Sequence, residues 1–229
     1  MKTLSNPPKA IWAIVPAAGV GSRFSGSTQK QYTKINGKTI LEHSVHSLLQ
    51  TNLIQKVYIA IASDDTTAAQ LPSLTDKRIE FVIGGKSRAH SVLNALIHLQ
   101  RFCSPDDWVI IHDAARPCLT LFDLDRLLQA LVDTESAVIL ATPATDTLKH
   151  VSNNRVETTV DRRLIWQALT PQAFRISLIF SALQTALQQG LNITDESSAL
   201  EMSGLKPLVL NGLRSNIKVT YPEDLALAN

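Results

Sequence analysis

The chain has 229 residues, enough for one good-sized domain, or one domain with an appendage, and for a substantial buried core. Hydrophobic residues make up 45% and charged residues 18%, a composition that excludes intrinsic disorder. The 22 basic side chains nearly balance the 20 acidic ones, leaving a net charge of +2. That balance speaks against a nucleic-acid partner, so any anion binding must come from local clusters.

The first apolar run, Ile11–Val15, reads as a strand. Lys2 and Lys9 precede it in the manner of an export signal. Pro16 and Gly19 interrupt the apolar stretch, however, and a basic polar loop follows in place of a small-residue cleavage site. No apolar run reaches the ~18 residues of a membrane span, so no membrane association is expected. Directly after the strand comes Pro16-Ala17-Ala18-Gly19-Val20-Gly21-Ser22-Arg23-Phe24. Small residues and two glycines let backbone N–H groups approach a phosphate, and Arg23 and Lys30 add positive charge. A dinucleotide fingerprint needs glycine where Phe24 stands, and a Walker A loop needs lysine where Ser27 stands. This is a phosphate loop of another kind, or an ordinary strand-to-helix turn.

Leu41, Val45, Leu48 and Leu49 then repeat at helical spacing. Further strands are expected over Lys56–Ala62, Ile79–Ile83, Trp108–His112 and Ala137–Ala141, rich in Val and Ile as in a sheet covered on both faces. Helices fall between them, through Ala89, Val92, Leu93, Leu96 and Ile97 and through Leu124, Leu127, Leu128, Leu131 and Val132. Such alternation predicts a doubly wound, Rossmann-like, mostly parallel sheet flanked by helices.

In that architecture ligands bind beyond the carboxyl ends of the strands. Gly84-Gly85-Lys86-Ser87-Arg88 closes the third strand, with glycines for close backbone approach to a ligand and Ser87 as a helix cap. His112-Asp113-Ala114-Ala115-Arg116-Pro117 follows the fourth, where Asp113 is placed either to meet a magnesium–triphosphate or to cap a helix.

Beyond Ala141 the alternation falters. Residues 142–165 are polar and Thr-rich, with strand-like pieces at Leu148–Val151 and Val156–Val160 around an Asn153-Asn154 turn. A hairpin so polar should project from the sheet as an arm of a single domain spanning 1–229. Helical pattern returns through Ile176, Ile179, Leu183, Ala186 and Leu187. Pro222, with Thr220 and Glu223 spaced as a capping box, opens a last short helix, and Lys218 falls on a strand before it.

Other clusters read first as structure. His43 and His46 lack a third metal ligand nearby, Asp64-Asp65 and Asp106-Asp107 look like loop and cap acids, and Thr194-Asp195-Glu196 opens a helix. Cys103 and Cys118 form no CxxC pair and are expected as reduced thiols. No nucleophile elbow is visible, which disfavours hydrolysis through a covalent intermediate.

Taken together, these stretches resemble the 2-C-methyl-D-erythritol 4-phosphate cytidylyltransferases. The resemblance runs in order through Val15–Arg23, Gln29–Tyr32, Ile40–Val45, Gly84-Gly85, His112–Pro117, Thr159–Arg162, Ala168–Gln172, Ile193–Glu196 and Asn216–Thr220, nearly the whole chain. It implies a cytoplasmic enzyme that transfers CMP from CTP to 2-C-methyl-D-erythritol 4-phosphate, with Mg²⁺, and releases pyrophosphate. Arg23 and Lys30 would be catalytic, stabilising charge at the α-phosphorus. Pro16, Ala17, Ala18, Gly19, Gly85, Ser91 and Ala114 would line the nucleotide site, and Asp113 would meet the metal or ribose. Arg162 and Lys218 would position the acceptor, helped by Thr147 and Arg116, and Thr194 would bind substrate. The resemblance also implies a homodimer whose arms reach into the partner's site. Lys86 departs from relatives that carry an acid there. A cytidylyltransferase for another polyol phosphate, such as ribitol 5-phosphate, and a non-catalytic nucleotide-binding module are the rival readings.

Overall fold

A computed structural model describes residues 9–19, 24 and 29–229. Its first strand, β1 (Ile11–Pro16), is buried on both faces, and its alternate residues divide between two cores. Ala13 and Val15 point into one, with Leu41, Val45 and Leu48 of α1 (Ile40–Leu49). Trp12 and Ile14 point into the other, which residues of the later helices fill. This period-2 division, repeated in each inner strand, makes the fold a sheet between two helical layers.

After β1 a small hairpin, β2 (Lys34–Ile35) and β3 (Lys38–Thr39), leads into α1. Thr39 caps that helix and Glu42 reaches back to the Thr39 N–H in a capping box. β4 (Ile54–Ile61) pairs parallel with β1, and β5 (Ile79–Ile83) parallel with β4. Then α2 (Arg88–Leu99), capped by Ser87 as expected, brings the chain to β6 (Trp108–Ile111) on the other side of β1. Strand order therefore reverses between β1 and β6, where open α/β sheets form their ligand crevice.

The second half follows α3 (Leu121–Ala130) with β7 (Ala137–Pro143), β8 (Leu148–Ser152), β9 (Arg155–Val160) and β10 (Trp166–Arg175). α4 (Ile176–Gln188), α5 (Glu196–Met202), β11 (Leu208–Asn211) and α6 (Asp224–Ala228) complete the described elements. The main sheet has the order β11-β7-β10-β6-β1-β4-β5, and β10 runs antiparallel to both of its neighbours. β10 escaped the sequence reading because Pro171, which cannot donate to a ladder, sits where its register with β7 breaks, between Ala168 and Gln172. β11 was missed as well: four residues with three exposed side chains give a weak pattern.

The polar segment does form a separate two-stranded sheet, β8–β9, whose side chains are mostly exposed. Asn153 and Asn154 both take left-handed backbone (φ 49° and 60°), the conformation a tight two-residue turn demands. Two expectations near the carboxyl end fail. Lys218 lies in a loop rather than a strand. The last helix begins at Asp224, and the Asp224 carboxylate, instead of a Thr220–Glu223 box, accepts the N–H groups of Thr220 and Tyr221.

Candidate active site

Three strand exits stand side by side because the ladders run on past the strands. Ala17 N–H donates to Ala60 O (2.7 Å), Gly84 N–H to Ile61 O (2.7 Å) and His112 N–H to Ile14 O (3.0 Å). A cleft of about 510 Å³ opens at these exits. Of the residues expected from sequence, Pro16, Ala17, Ala18, Gly19, Lys30, Gly85, Ser91, Asp113, Ala114 and Lys218 line it. Gln31, Lys86, Ser87, Arg88 and Ala115 line it too. Arg116, Thr147, Arg162 and Thr194 are not on its wall, and Arg23 lies outside the described residues.

The two glycines have a steric reason as well. A Cβ on Gly84 would stand 2.6 Å from the Ala18 Cβ, and one on Gly85 would stand 2.6 Å from the His90 Cβ. The glycine pair therefore lets the β5 exit pack against the phosphate loop and the start of α2. Ser91 is buried and works within this turn: its hydroxyl accepts from Gly85 N–H (3.0 Å) and donates to Ser87 O (2.9 Å). Lys30 begins a single 3₁₀ turn, Lys30–Tyr32, fixed to the β1 exit by Gln31 Nε2 donating to Ala17 O (3.0 Å). The Tyr32 hydroxyl, hydrogen-bonded to Asp65, ties that turn to the β4 exit.

Asp113 is the electrostatic centre. Arg88 Nε donates to its Oδ1 at 2.8 Å, Lys218 Nζ lies 2.7 Å from Oδ2, and Arg116 Nε lies 3.9 Å from Oδ2. Burial opposes ionisation, yet the charges of Arg88 and Lys218 hold this carboxyl far below the usual carboxylate range. Arg88 spans two acids, its Nη1 donating to Glu196 Oε1 at 2.6 Å. Glu196 is fully buried, and burial raises its pKa against the pull of Arg88. Neither Arg88 nor Glu196 carried a role in the sequence reading. The one available signal was their place within two motifs, Gly84–Arg88 and Thr194–Glu196, read there as helix starts; Asp195 does cap α5.

A hydrogen-bonded chain secures the Asp113 backbone. Its N–H donates to Thr170 Oγ1 (3.0 Å), Thr170 lies 3.0 Å from His112 Nδ1, and His112 Nε2 lies 3.1 Å from Arg116 O. Burial lowers the His112 pKa to about 4, so the imidazole is neutral near pH 7, with both nitrogens engaged. Arg116 is buried and gives its Nη donors to Asn216 O (2.7 Å) and Ala168 O (3.2 Å), bracing the Lys218 loop. Val219 N–H donates to Ala115 O (2.8 Å) beside it.

The donor set at Asp113 does not suit direct metal ligation, because cationic side chains already hold both carboxylate oxygens. Among the described residues no group of three or more His, Cys, Asp or Glu side chains could hold a metal ion. His43 instead lies 2.8 Å from Ile35 O through Nε2, as a structural histidine. Nor is any described helix long and apolar enough to cross a membrane.

A crevice walled by Lys30, Lys86, Arg88 and Lys218 at the switch point of a mostly parallel sheet defines an α/β protein built for phosphorylated ligands. The family model described as "IspD: 2-C-methyl-D-erythritol 4-phosphate cytidylyltransferase" matches residues 11–229. The chain is 48% identical over 222 residues to the enzyme of that name from Aliivibrio fischeri, covering 96% of this chain and 93% of the relative. It is 50% identical over 218 residues to the one from Pseudomonas syringae pv. tomato, covering 94% and 92%. The crystal structure of the Francisella tularensis enzyme superposes with a TM-score of 0.82 at 37% identity, covering 96% of this chain and 98% of that one. This chain belongs to the 2-C-methyl-D-erythritol 4-phosphate cytidylyltransferase family and is a nucleotidyltransferase.

The buried imidazole yields a pH test. The ordinary histidine value is 6.5 and the folded value about 4, so the unfolded chain takes up this proton first as pH falls. The contribution of His112 is complete above pH 6.5 and lost progressively down to about pH 4, by an amount on the order of 3 kcal/mol. Glu196, with its pKa raised, acts in the opposite sense, so the quantity to measure is the difference between wild type and His112→Asn. Denaturant unfolding should show that difference shrinking from pH 7 to pH 4; a difference independent of pH would refute the neutral buried imidazole.

Proposed function

We propose that this cleft is where the chain performs the reaction of its family, transfer of CMP from CTP to 2-C-methyl-D-erythritol 4-phosphate. The observation that carries the proposal is the ring of cations at the β1, β5 and β6 exits, organised around one carboxylate, in a chain that spans the family almost end to end. An oxygen of the acceptor's phosphate attacks the α-phosphorus of CTP in line. The new phosphorus–oxygen bond forms as the bond to the β-phosphate oxygen breaks, and pyrophosphate leaves. A phosphate dianion needs no general base, which agrees with a neutral His112 whose two nitrogens are already engaged.

The chain's own residues then align reactants and neutralise charge. Lys30, fixed to the β1 exit through its neighbour Gln31, holds the triphosphate with Arg23. The backbone of Pro16–Gly19, with Gly85, Ser91 and Ala114, walls the nucleotide. Lys218, held by Asp113, faces the acceptor's phosphate. A divalent ion such as Mg²⁺ enters as part of the substrate, on the triphosphate, and adds positive charge there; no described residue is assigned to hold it. The work is cytoplasmic on this reading, and the family assignment does not favour a ribitol 5-phosphate acceptor.

The acceptor contacts Arg162 and Thr147 are assigned across a homodimer. Both are exposed on or beside the β8–β9 arm, and in this chain Arg162 donates to Thr145 O within the arm's own base. The arm and the segment following it also carry exposed Val151, Val156, Leu164, Ile165 and Trp166, an apolar surface suited to a second copy. Arg116, off the cleft wall, acts by bracing the Lys218 loop.

Pyrophosphate release should require CTP, Mg²⁺ and methylerythritol phosphate together, and Lys30→Ala should lower turnover by about 10²-fold with the fold intact. Equal turnover with ATP, or a Lys30→Ala enzyme at wild-type rate, would contradict the reading.

Mixing inactive Lys30→Ala with inactive Arg162→Ala protein should recover part of the activity, because some heterodimer sites would hold both residues intact. No recovery under conditions where subunits exchange would confine Arg162 to its own chain.

A further inference from the structure

Glu196 lies behind the cleft, fully buried, and touches the site through Arg88 alone among its described ionic partners. Arg88 is divided between two acids, Nε to Asp113 and Nη1 to Glu196, and gives a single donor to each. Its Nη2 and the second oxygen of Glu196 are both buried without a hydrogen-bond partner. A bidentate Arg88–Glu196 pair would have satisfied them both, so the one-handed arrangement sacrifices two buried polar groups. As placed, Nε bonds Asp113 Oδ1 alone, which leaves Oδ2 to Lys218.

We propose that Glu196 is a positioning residue for the cytidylyl transfer: by restraining Arg88 it keeps Asp113 Oδ2 open to Lys218 and so holds the Lys218 ammonium at the cleft. Without the Glu196 charge, Arg88 turns its fork onto both oxygens of Asp113 and displaces Lys218. The geometry is specific to a guanidinium, because an ammonium at position 88 is a point charge and cannot bridge two carboxylates as a planar fork does. The inference rests on the reading that Lys218 meets the acceptor's phosphate.

The experiment measures both substrate KM values and turnover for Glu196→Gln, Arg88→Lys, Lys218→Ala and the double variant Glu196→Gln/Lys218→Ala, with thermal unfolding of each. Glu196→Gln should raise the acceptor KM ~10-fold, the scale of coupled neighbours, while the CTP KM stays within about twofold. Arg88→Lys, which keeps the charge should Glu196→Gln not fold, should give the same split. In the Lys218→Ala background Glu196→Gln should add almost nothing, since the two act in series. An acceptor KM unchanged in Glu196→Gln and Arg88→Lys, or both KM values rising together with a fall in thermal stability, would leave these residues a purely structural role and overturn the proposal. Full additivity in the double variant would overturn it while leaving the acceptor role of Lys218 intact. An unchanged acceptor KM in Lys218→Ala itself would remove that role, and the proposal with it.

Discussion

The pairing of the Asp113 carboxylate with Arg88 and Lys218 joins segments distant in sequence: the β6 exit, the start of α2 and the loop before α6. Arg116 stands close by and ties the same loop to β10 through Asn216 and Ala168. A carboxylate at this depth is expensive unless cations surround it, and here they do. Conversely, the burial of Arg116 depends on having that negative charge nearby. The carboxylate is buried while Arg88 and Lys218 keep part of their surface in solvent, so the cluster both ties the three segments together and frames the cleft.

The cluster uses negative charge sparingly where a polyanionic substrate must enter. Asp113 and Glu196 restrain the cations, while Lys30 and Lys86 stand at the wall on other elements. Lys30 also acts beyond the cleft. The Asp224 carboxyl is lowered first by the Tyr221 and Thr220 backbone N–H groups, and the Lys30 charge adds to the effect. The last helix is thus linked electrostatically to the phosphate-loop side of the site. Close packing completes the frame, since Gly84 and Gly85 allow the β5 exit to lie against Ala18 and His90 where any side chain would force the loops apart.

Local signals made the parallel half of the sheet legible. β1, β4, β5, β6 and β7 are runs of Val and Ile, and the helices between them keep one apolar face. The Asn153-Asn154 turn was legible because adjacent asparagines tolerate left-handed backbone. β10 was not, because its identity as a strand comes from insertion between β6 and β7 rather than from its own pattern, which Pro171 interrupts. Lys218 read as part of a strand for the opposite reason: Ile217 and Val219 flank it, yet that segment meets the Asp113 loop and joins no described sheet.

In the site, motif position identified which residues come together but not what they do there. Gly84, Gly85 and Ser91 also pack and close the turn, a role their motif did not reveal. Arg116 braces a loop, and Glu196, the helix-start acid the sequence indicates, is also a buried ion partner. These assignments depend on contacts across 100 residues or more for Arg116–Asn216 and Arg88–Glu196, a separation that no local pattern encodes.

The central claim is that the Asp113 charge, rather than its shape, organises the cations of the cleft. The most direct measurement is a crystal structure of Asp113→Asn with its turnover in parallel. The account predicts a folded protein in which Lys218 Nζ has left its 2.7 Å contact and turnover has fallen by about 10²-fold or more. An Asp113→Asn enzyme with Lys218 in place and wild-type turnover would contradict it.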